Sequence, residues 1–295
     1  MTSDKLPGTA IKSHIYLRTA MVCLLAALGI GVLYQTGAQD FHLLSSVSAY
    51  YYTPAQTVFV GSLIGFGACL IALRGASDAE DLFLNLAGMF AIVVAVVPTS
   101  RGPDFRSAVR LCAETRAGYP GPTDGSVDCA SVNALREAAR ANIDNSMTTV
   151  LGVALLGLLA TAVFVVLQRR KDRSAAAWWG FGVGAAVVLA VAIAYLATPD
   201  WYADTAHFAA AAGLMGCIVV VAMLNRKRQA GYAVTAVAIV VAAVAGLVLM
   251  ATAGVSLFWV EIVVAFLFLV YWVVQTLEQL REYRGSAATP PAPAG

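Results

Sequence analysis

Residues 147–173 read MTTVLGVALLGLLATAVFVVLQRRKDR. From Met147 to Leu167 no side chain is charged, and then Arg169, Arg170, Lys171 and Arg173 arrive almost together. A helix rises about 1.5 Å per residue and the hydrocarbon core of a bilayer is about 30 Å thick, so about 20 apolar residues are needed to cross it. This run has that length. It is continuous rather than alternating with polar residues, which argues for a helix and against a barrel strand.

Outward from this run, seven more of the same kind stand at about 16–36, 56–74, 82–99, 176–198, 205–224, 231–252 and 256–277. The whole chain agrees: 60% of its 295 residues are hydrophobic and 12% charged, where a soluble domain carries about a quarter charged residues. The fold class read from the sequence is all-α, a polytopic transmembrane helix bundle of about eight spans over 1–284. The tail 285–295, GSAATPPAPAG, is expected to be disordered. The tightest point is the Ala-Gly-Val-Ser link at 253–256, which has to reverse the chain between the last two spans.

Orientation follows from the cations, because positive flanks stay in the cytoplasm. Lys5, Lys12 and Arg18 precede or open the first span, the QRRKDR run follows the fourth, Arg226, Lys227 and Arg228 follow the sixth, and Arg281 and Arg284 follow the eighth. Connections 37–55, 199–204 and 253–255 hold no Lys or Arg. Eight spans therefore put both termini in the cytoplasm and suit a plasma-membrane location. The first run is read as a span rather than a cleaved leader, since Tyr34 and Gln35 prolong it. A net charge of +2, spent on membrane flanks, excludes a nucleic-acid surface.

One long connection, 100–144, is expected outside, with its six arginines balanced by six acids. It holds Cys112 and Cys129, the only cysteines beyond the spans, and an oxidising exterior favours a disulfide between them. Cys23, Cys69 and Cys217 read as small buried hydrophobes. Glycines 61 and 65 make a GxxxG on the second span, with Gly67 nearby, and Gly180, Gly182 and Gly184 crowd the fifth, as close helix packing requires.

Candidate chemistry gathers at the outer level. Ionisable groups inside a membrane are costly and point to a partner or a purpose. Glu261 stands about two turns into the last span; Asp40, His42, the run SSVSAYYY (45–52), Arg101, Asp200, Asp204 and His207 share its level. Ser46, Ser48, Tyr50, Arg101, His207 and Glu261 are the candidate ligand-binding residues. The first functional reading is a non-enzymatic protein that binds a lipid, a small ligand or a partner there. No cofactor is expected. A membrane-embedded, metal-dependent lipid hydrolase is the second reading, with His42, His207 and Asp200 as zinc ligands. The alkaline-ceramidase and progestin-receptor-like superfamily arranges His, Asp and Ser in this manner, but the final span here lacks its paired HxxxH. The third is a small proton- or ion-coupled transporter working through Glu261.

Three segments carry a resemblance: SVSAYYYTPAQTVFVG (46–61), NLAGMFAIVVAVVPT (85–99) and FWVEIVVAF (258–266). They resemble a group of bacterial polytopic membrane proteins of unknown function. More distantly they are similar to the domain-of-unknown-function 998 family and the Frag1/DRAM/Sfk1 membrane family. The resemblance implies an integral membrane protein with a motif at the outer end of the second span. It singles out Ser46, Ser48, Tyr50, Pro54 and Glu261, and implies no particular reaction.

Overall fold

A computed structural model describes residues 6–99, 101, 103–116, 127–167, 175–227 and 230–288. Among these the chain is helical, with α1 Leu6–Ala38, α2 Gln56–Ala72, α3 Asp78–Val96, α4 Pro103–Arg116, α5 Cys129–Leu167, α6 Ala175–Ala197, α7 Pro199–Leu224, α8 Ala230–Ala253 and α9 Leu257–Ala288. A short 3-10 turn, Val47–Tyr52, stands between α1 and α2. Seven of the helices are long and apolar enough to cross a membrane. The second expected span, α2, is shorter: 17 residues, about 25 Å.

The eight long helices alternate in direction, so their ends collect at two poles. The tyrosine pole carries the Tyr50–Tyr52 run, the α3–α4 corner and the α8–α9 turn. The basic pole carries the α2–α3 turn, the end of α7 and the last turns of α9. Helices α1, α2, α3, α7 and α9 enclose the core between the poles. Met21, Phe66, Leu70, Leu84, Ile218, Phe268 and Trp272 are fully buried there. Phe66, Phe268 and Trp272 meet edge to face, with centroids 5.5–6.5 Å apart, an arrangement that adds about 1 kcal/mol per pair beyond burial.

Local signals set the turns. Ser77 caps α3, its hydroxyl accepting from the Glu80 N–H at 3.2 Å, and Glu80 reaches back to the Ala76 N–H at 2.8 Å. This is close to a capping box. At the α8–α9 link Gly254 takes φ +64°, a left-handed conformation that costs glycine little. The three residues 254–256 suffice to reverse the chain. Ser256 then accepts from the Phe258 N–H at 3.3 Å and donates to the Ser45 carbonyl at 3.0 Å.

Three expectations are corrected and the disulfide is borne out. Region 100–144 is not a loop among its described residues. It holds α4 and the first turns of α5, which is 39 residues and about 58 Å long, so the span expected at 147–168 is only its second half. Cys112 and Cys129 are bonded, S–S 1.99 Å, tying α4 to the start of α5. The tail expected to be disordered from 285 is helical to Ala288, because α9 continues its hydrogen bonding past the membrane-length segment; 289–295 lie outside the described residues. Of the glycines expected to pack closely, Gly61, Gly180 and Gly182 have open Cβ positions, while Gly65 packs on Leu24 of α1, an added Cβ standing 3.1 Å from its Cδ1. The tighter approach is Gly67 on α2 against Gly88 on α3, where an added Cβ on Gly88 would stand 2.5 Å from the Gly67 carbonyl oxygen and 2.6 Å from Ile71 Cγ1.

Two outcomes follow. Gly88→Ala forces α2 and α3 apart and should lower stability by about 1–3 kcal/mol, read as a fall in the thermal midpoint in detergent, while Gly61→Ala leaves that midpoint unchanged. Cys112→Ser with Cys129→Ser releases a loop closed across 17 residues, and the same measurement should show a loss of about 3 kcal/mol.

Candidate functional site at the tyrosine pole

The 3-10 turn is the centre of this pole. Ser46 begins it in extended conformation (φ −156°), and its hydroxyl accepts from the Ala49 N–H at 3.0 Å, the job of a helix cap. The turn is then fastened to three helices. Toward α9, the Val47 N–H donates to Glu261 Oε2 at 2.5 Å; the Ser48 N–H and hydroxyl face the same carboxylate. Toward α7, Ser48 Oγ lies 2.8 Å from His207 Nε2, and His207 Nδ1 lies 2.7 Å from the Val97 carbonyl oxygen. A carbonyl only accepts, so Nδ1 carries the hydrogen. Toward α1, Tyr50 Oη meets Thr36 Oγ1 at 2.5 Å. The Thr36 hydroxyl already donates to the Val32 carbonyl at 2.8 Å, so the tyrosine is the donor. Backbone bonds complete the joint, with the Phe258 N–H donating to the Ser45 carbonyl at 3.1 Å.

Five of the six candidate ligand residues therefore lie together. Ser46, Ser48, Tyr50, His207 and Glu261 form one network, and Ser46, Ser48, Tyr50 and His207 are all buried. Their polar atoms bind one another and the backbone. None of them lines either of the two clefts described below. The sixth, Arg101, stands apart at the α3–α4 corner, its Cζ 4.2 Å above the Tyr52 ring and 5.9 Å from that of Phe105. Tyr52 donates to the Thr99 carbonyl at 2.7 Å. Burial pushes its phenol up to about 12, the Arg101 cation pulling the other way, so the ring stays neutral.

Beside Arg101 opens a cleft of about 200 Å³, walled by Tyr51, Tyr52, Thr53 and Gln56 on one side and by Ala138, Ala139 and Asn142 of α5 on the other. None of its described lining residues is acidic. The volume is about seven times that of one water in the liquid, room for a headgroup-sized molecule. A second cleft of about 220 Å³ lies between α5, α6 and α7. There the charge is already matched: Arg140 pairs with Asp200, and Tyr195 Oη donates to Asp144 at 3.1 Å. Sequence reasoning missed Gln56, Thr53 and Asn142. Asn142 lies in the stretch taken as a loop, and the other two look like ordinary polar residues ahead of a span.

The proposed metal ligands are not gathered. His42 is exposed, Asp200 is engaged by Arg140, and both ring nitrogens of His207 are occupied. Among the described residues no three His, Cys, Asp or Glu side chains form a metal-holding group.

The expectation that nearly all unusual polarity lies at one pole is corrected. The basic pole has a buried network of its own. Arg18, 2% exposed, donates to His14 Nε2 at 2.9 Å and to Gln275 Oε1, with its Cζ 5.2 Å from the Trp272 ring. Asn225 Nδ2 donates to Glu80 Oε1 at 2.9 Å, and Tyr232 donates to Glu278. In the sequence Arg18 passes as a membrane flank and Glu80 as a helix cap, which hides both. Outside the spans, Asp128 accepts at the head of α5: the Ser131 hydroxyl and the Ala130 and Ser131 N–H groups hold its carboxyl below its usual value.

Comparison with family models, with curated proteins and with solved structures gives no match.

The Glu261 bond to the turn is open to test. Glu261→Ala strands the Val47 N–H and should lower stability by about 2 kcal/mol. Glu261→Gln, whose side-chain oxygen still accepts, should lose less than half as much; tryptophan-fluorescence melting of the purified protein measures both.

Proposed function

We propose that the chain is a multi-pass plasma-membrane protein of eight spans, with both termini in the cytoplasm, that binds an anionic lipid headgroup or small anionic ligand in the Arg101 cleft without transforming it. The topology rests on the alternating helices together with the cation-rich flanks at the basic pole and the cation-free turns 37–55, 199–204 and 253–255 at the other. With α2 at about 25 Å, local thinning of the bilayer or tilting of its neighbours accommodates the shorter crossing.

The observation that carries the ligand reading is the cleft with one guanidinium and no carboxylate among its described lining residues. A guanidinium laid flat on an aromatic ring has one face covered, and it offers its N–H fork in the plane, where a phosphate or carboxylate binds in bidentate fashion. Gln56, Asn142 and Thr53 add neutral hydrogen-bonding groups around it. A cationic ligand finds no counter-charge among the described lining residues. The five polar residues of the network serve this site from behind, by fixing the turn whose tyrosines form its wall.

Native mass spectrometry of the full-length protein, stripped of lipid and re-exposed to phosphatidylglycerol or phosphatidylcholine, tests the proposal. The protein should retain phosphatidylglycerol preferentially. Arg101→Gln should reduce that retention about tenfold, the loss of one charge-assisted hydrogen bond, and Asn142→Trp, which fills the cleft, should do the same. Equal retention by both variants and the parent would end the assignment.

A further inference from the structure

Proton counting across the buried network yields an inference independent of the cleft. Ser48 has one hydroxyl hydrogen, and two acceptors face its oxygen: His207 Nε2 at 2.8 Å and the Glu261 carboxylate. Nδ1 of His207 is committed as a donor to the Val97 carbonyl. A neutral imidazole therefore presents a bare lone pair at Nε2, and an ionised Glu261 presents only lone pairs. With both in those forms, a single hydrogen serves two contacts and one of them is left as lone pair against lone pair. Ser48 and His207 are buried, at 7% and 3% exposure, so water does not repair the mismatch at the serine.

One added proton removes the conflict, and it does so in two ways. Protonated Glu261 donates to Ser48 Oγ while the Ser48 hydroxyl donates to Nε2. Alternatively, the imidazolium donates from Nε2 to Ser48 Oγ while the Ser48 hydroxyl donates to the Glu261 carboxylate. The two arrangements interconvert when the Glu261 proton moves to Ser48 Oγ and the Ser48 proton moves to Nε2. No atom or charge is gained or lost in that exchange. We propose that Glu261, Ser48 and His207 constitute a proton-binding site that holds one proton in common, taken from water at the tyrosine pole and relayed through the serine hydroxyl.

The surroundings favour sharing. The groups that reach the trio are neutral: the Val47 and Ser48 N–H groups from the turn and the Val97 carbonyl from α3. Among the described residues no ion pair reaches either Glu261 or His207. Neither member therefore has a fixed counter-charge that would pin the proton on it. Glu261 retains partial exposure, which supplies the route in, while His207 lies behind it. A proton shared by coupled sites leaves in one macroscopic step that belongs to the set and not to either residue.

Infrared difference spectroscopy of the full-length protein, recorded as pH is stepped from acid to neutral, tests this. The carboxyl band lost in Glu261→Gln identifies Glu261, and ring bands lost in His207→Asn identify His207. In the parent protein the two sets of bands should change together in one step. Ser48→Ala should split them into two steps, with the Glu261 midpoint displaced by about one pH unit or more; Ser48→Thr, which keeps a hydroxyl, should restore the joint step. His207→Asn should displace the Glu261 midpoint by a similar amount, so a poorly folded Ser48→Ala still leaves a deciding measurement. Independent steps in the parent, or a Glu261 midpoint unmoved in both Ser48→Ala and His207→Asn, would overturn the proposal.

Discussion

The bond from the Val47 N–H to the Glu261 carboxylate joins positions 214 residues apart, and the tyrosine pole is organised around it. A six-residue 3-10 turn has too few internal hydrogen bonds to hold its own shape. It is ordered here because helices on three sides supply partners: Glu261 from α9, His207 from α7 and Thr36 from α1. Each tether closes a contact between segments that packing alone would hold only loosely. An unmet backbone N–H or carbonyl at membrane depth costs several kcal/mol. The polar side chains are thus the condition under which non-helical chain can lie inside the bundle at all.

The same rule shapes the opposite pole by different means. The α2–α3 turn, 73–77, is short, and Glu80 and Asp81 close it by accepting from the Ala76 and Gly75 N–H groups. Arg18, Asn225 and Gln275 then join α1, α7 and α9 around it. Between the poles lies an apolar middle, with Phe66, Leu70 and Phe268 at its centre. Its helices depend on close approach, which is why the Gly67–Gly88 contact matters. Hydrophobic burial gives little net drive between helices in lipid, so packing contact and polar junctions set the architecture.

How legible this was in the sequence differs from element to element. Spans such as 176–198 and 231–252 announce themselves by length and apolarity, and α6 and α8 lie over those positions. Cys112 and Cys129 were legible as the pair outside the spans. The extent of α5 was not: its first turns are polar, and a helix that continues into water has no hydropathy signature. Of the three glycines noted on α2, Gly65 packs on Leu24 of α1 and Gly67 meets α3, while the phase of the helix turns Gly61 to open space. The gathering of Ser48, His207 and Glu261 was anticipated as a level in the membrane. Their actual partners were not, because Val47 N–H and Val97 carbonyl are backbone groups that every residue owns. The Arg101 cleft was half legible. Arg101 itself stood out, while Asn142 could be placed only once α5 was known to be helical and to run past the turn.

The 3-10 turn has two working faces, and they are rigidly related because they belong to consecutive residues. Val47, Ser48 and Tyr50 point to buried partners; Tyr51 and Tyr52 form the cleft wall, held edge to face at 5.3 Å. Tyr52 is anchored in turn by its bond to the Thr99 carbonyl, and it carries Arg101 on its ring. A shift of the wall therefore strains hydrogen bonds to α1, α7 and α9 at once, each worth about 1 kcal/mol net when intact and more when a buried partner is stranded. Such a wall is pre-organised: a molecule entering the cleft does not have to order it, and the ordering cost that weakens binding to mobile loops is already met within the fold. By the same linkage, whatever loosens the buried side of the turn must change the cleft, and whatever fills the cleft must be felt by the groups behind it.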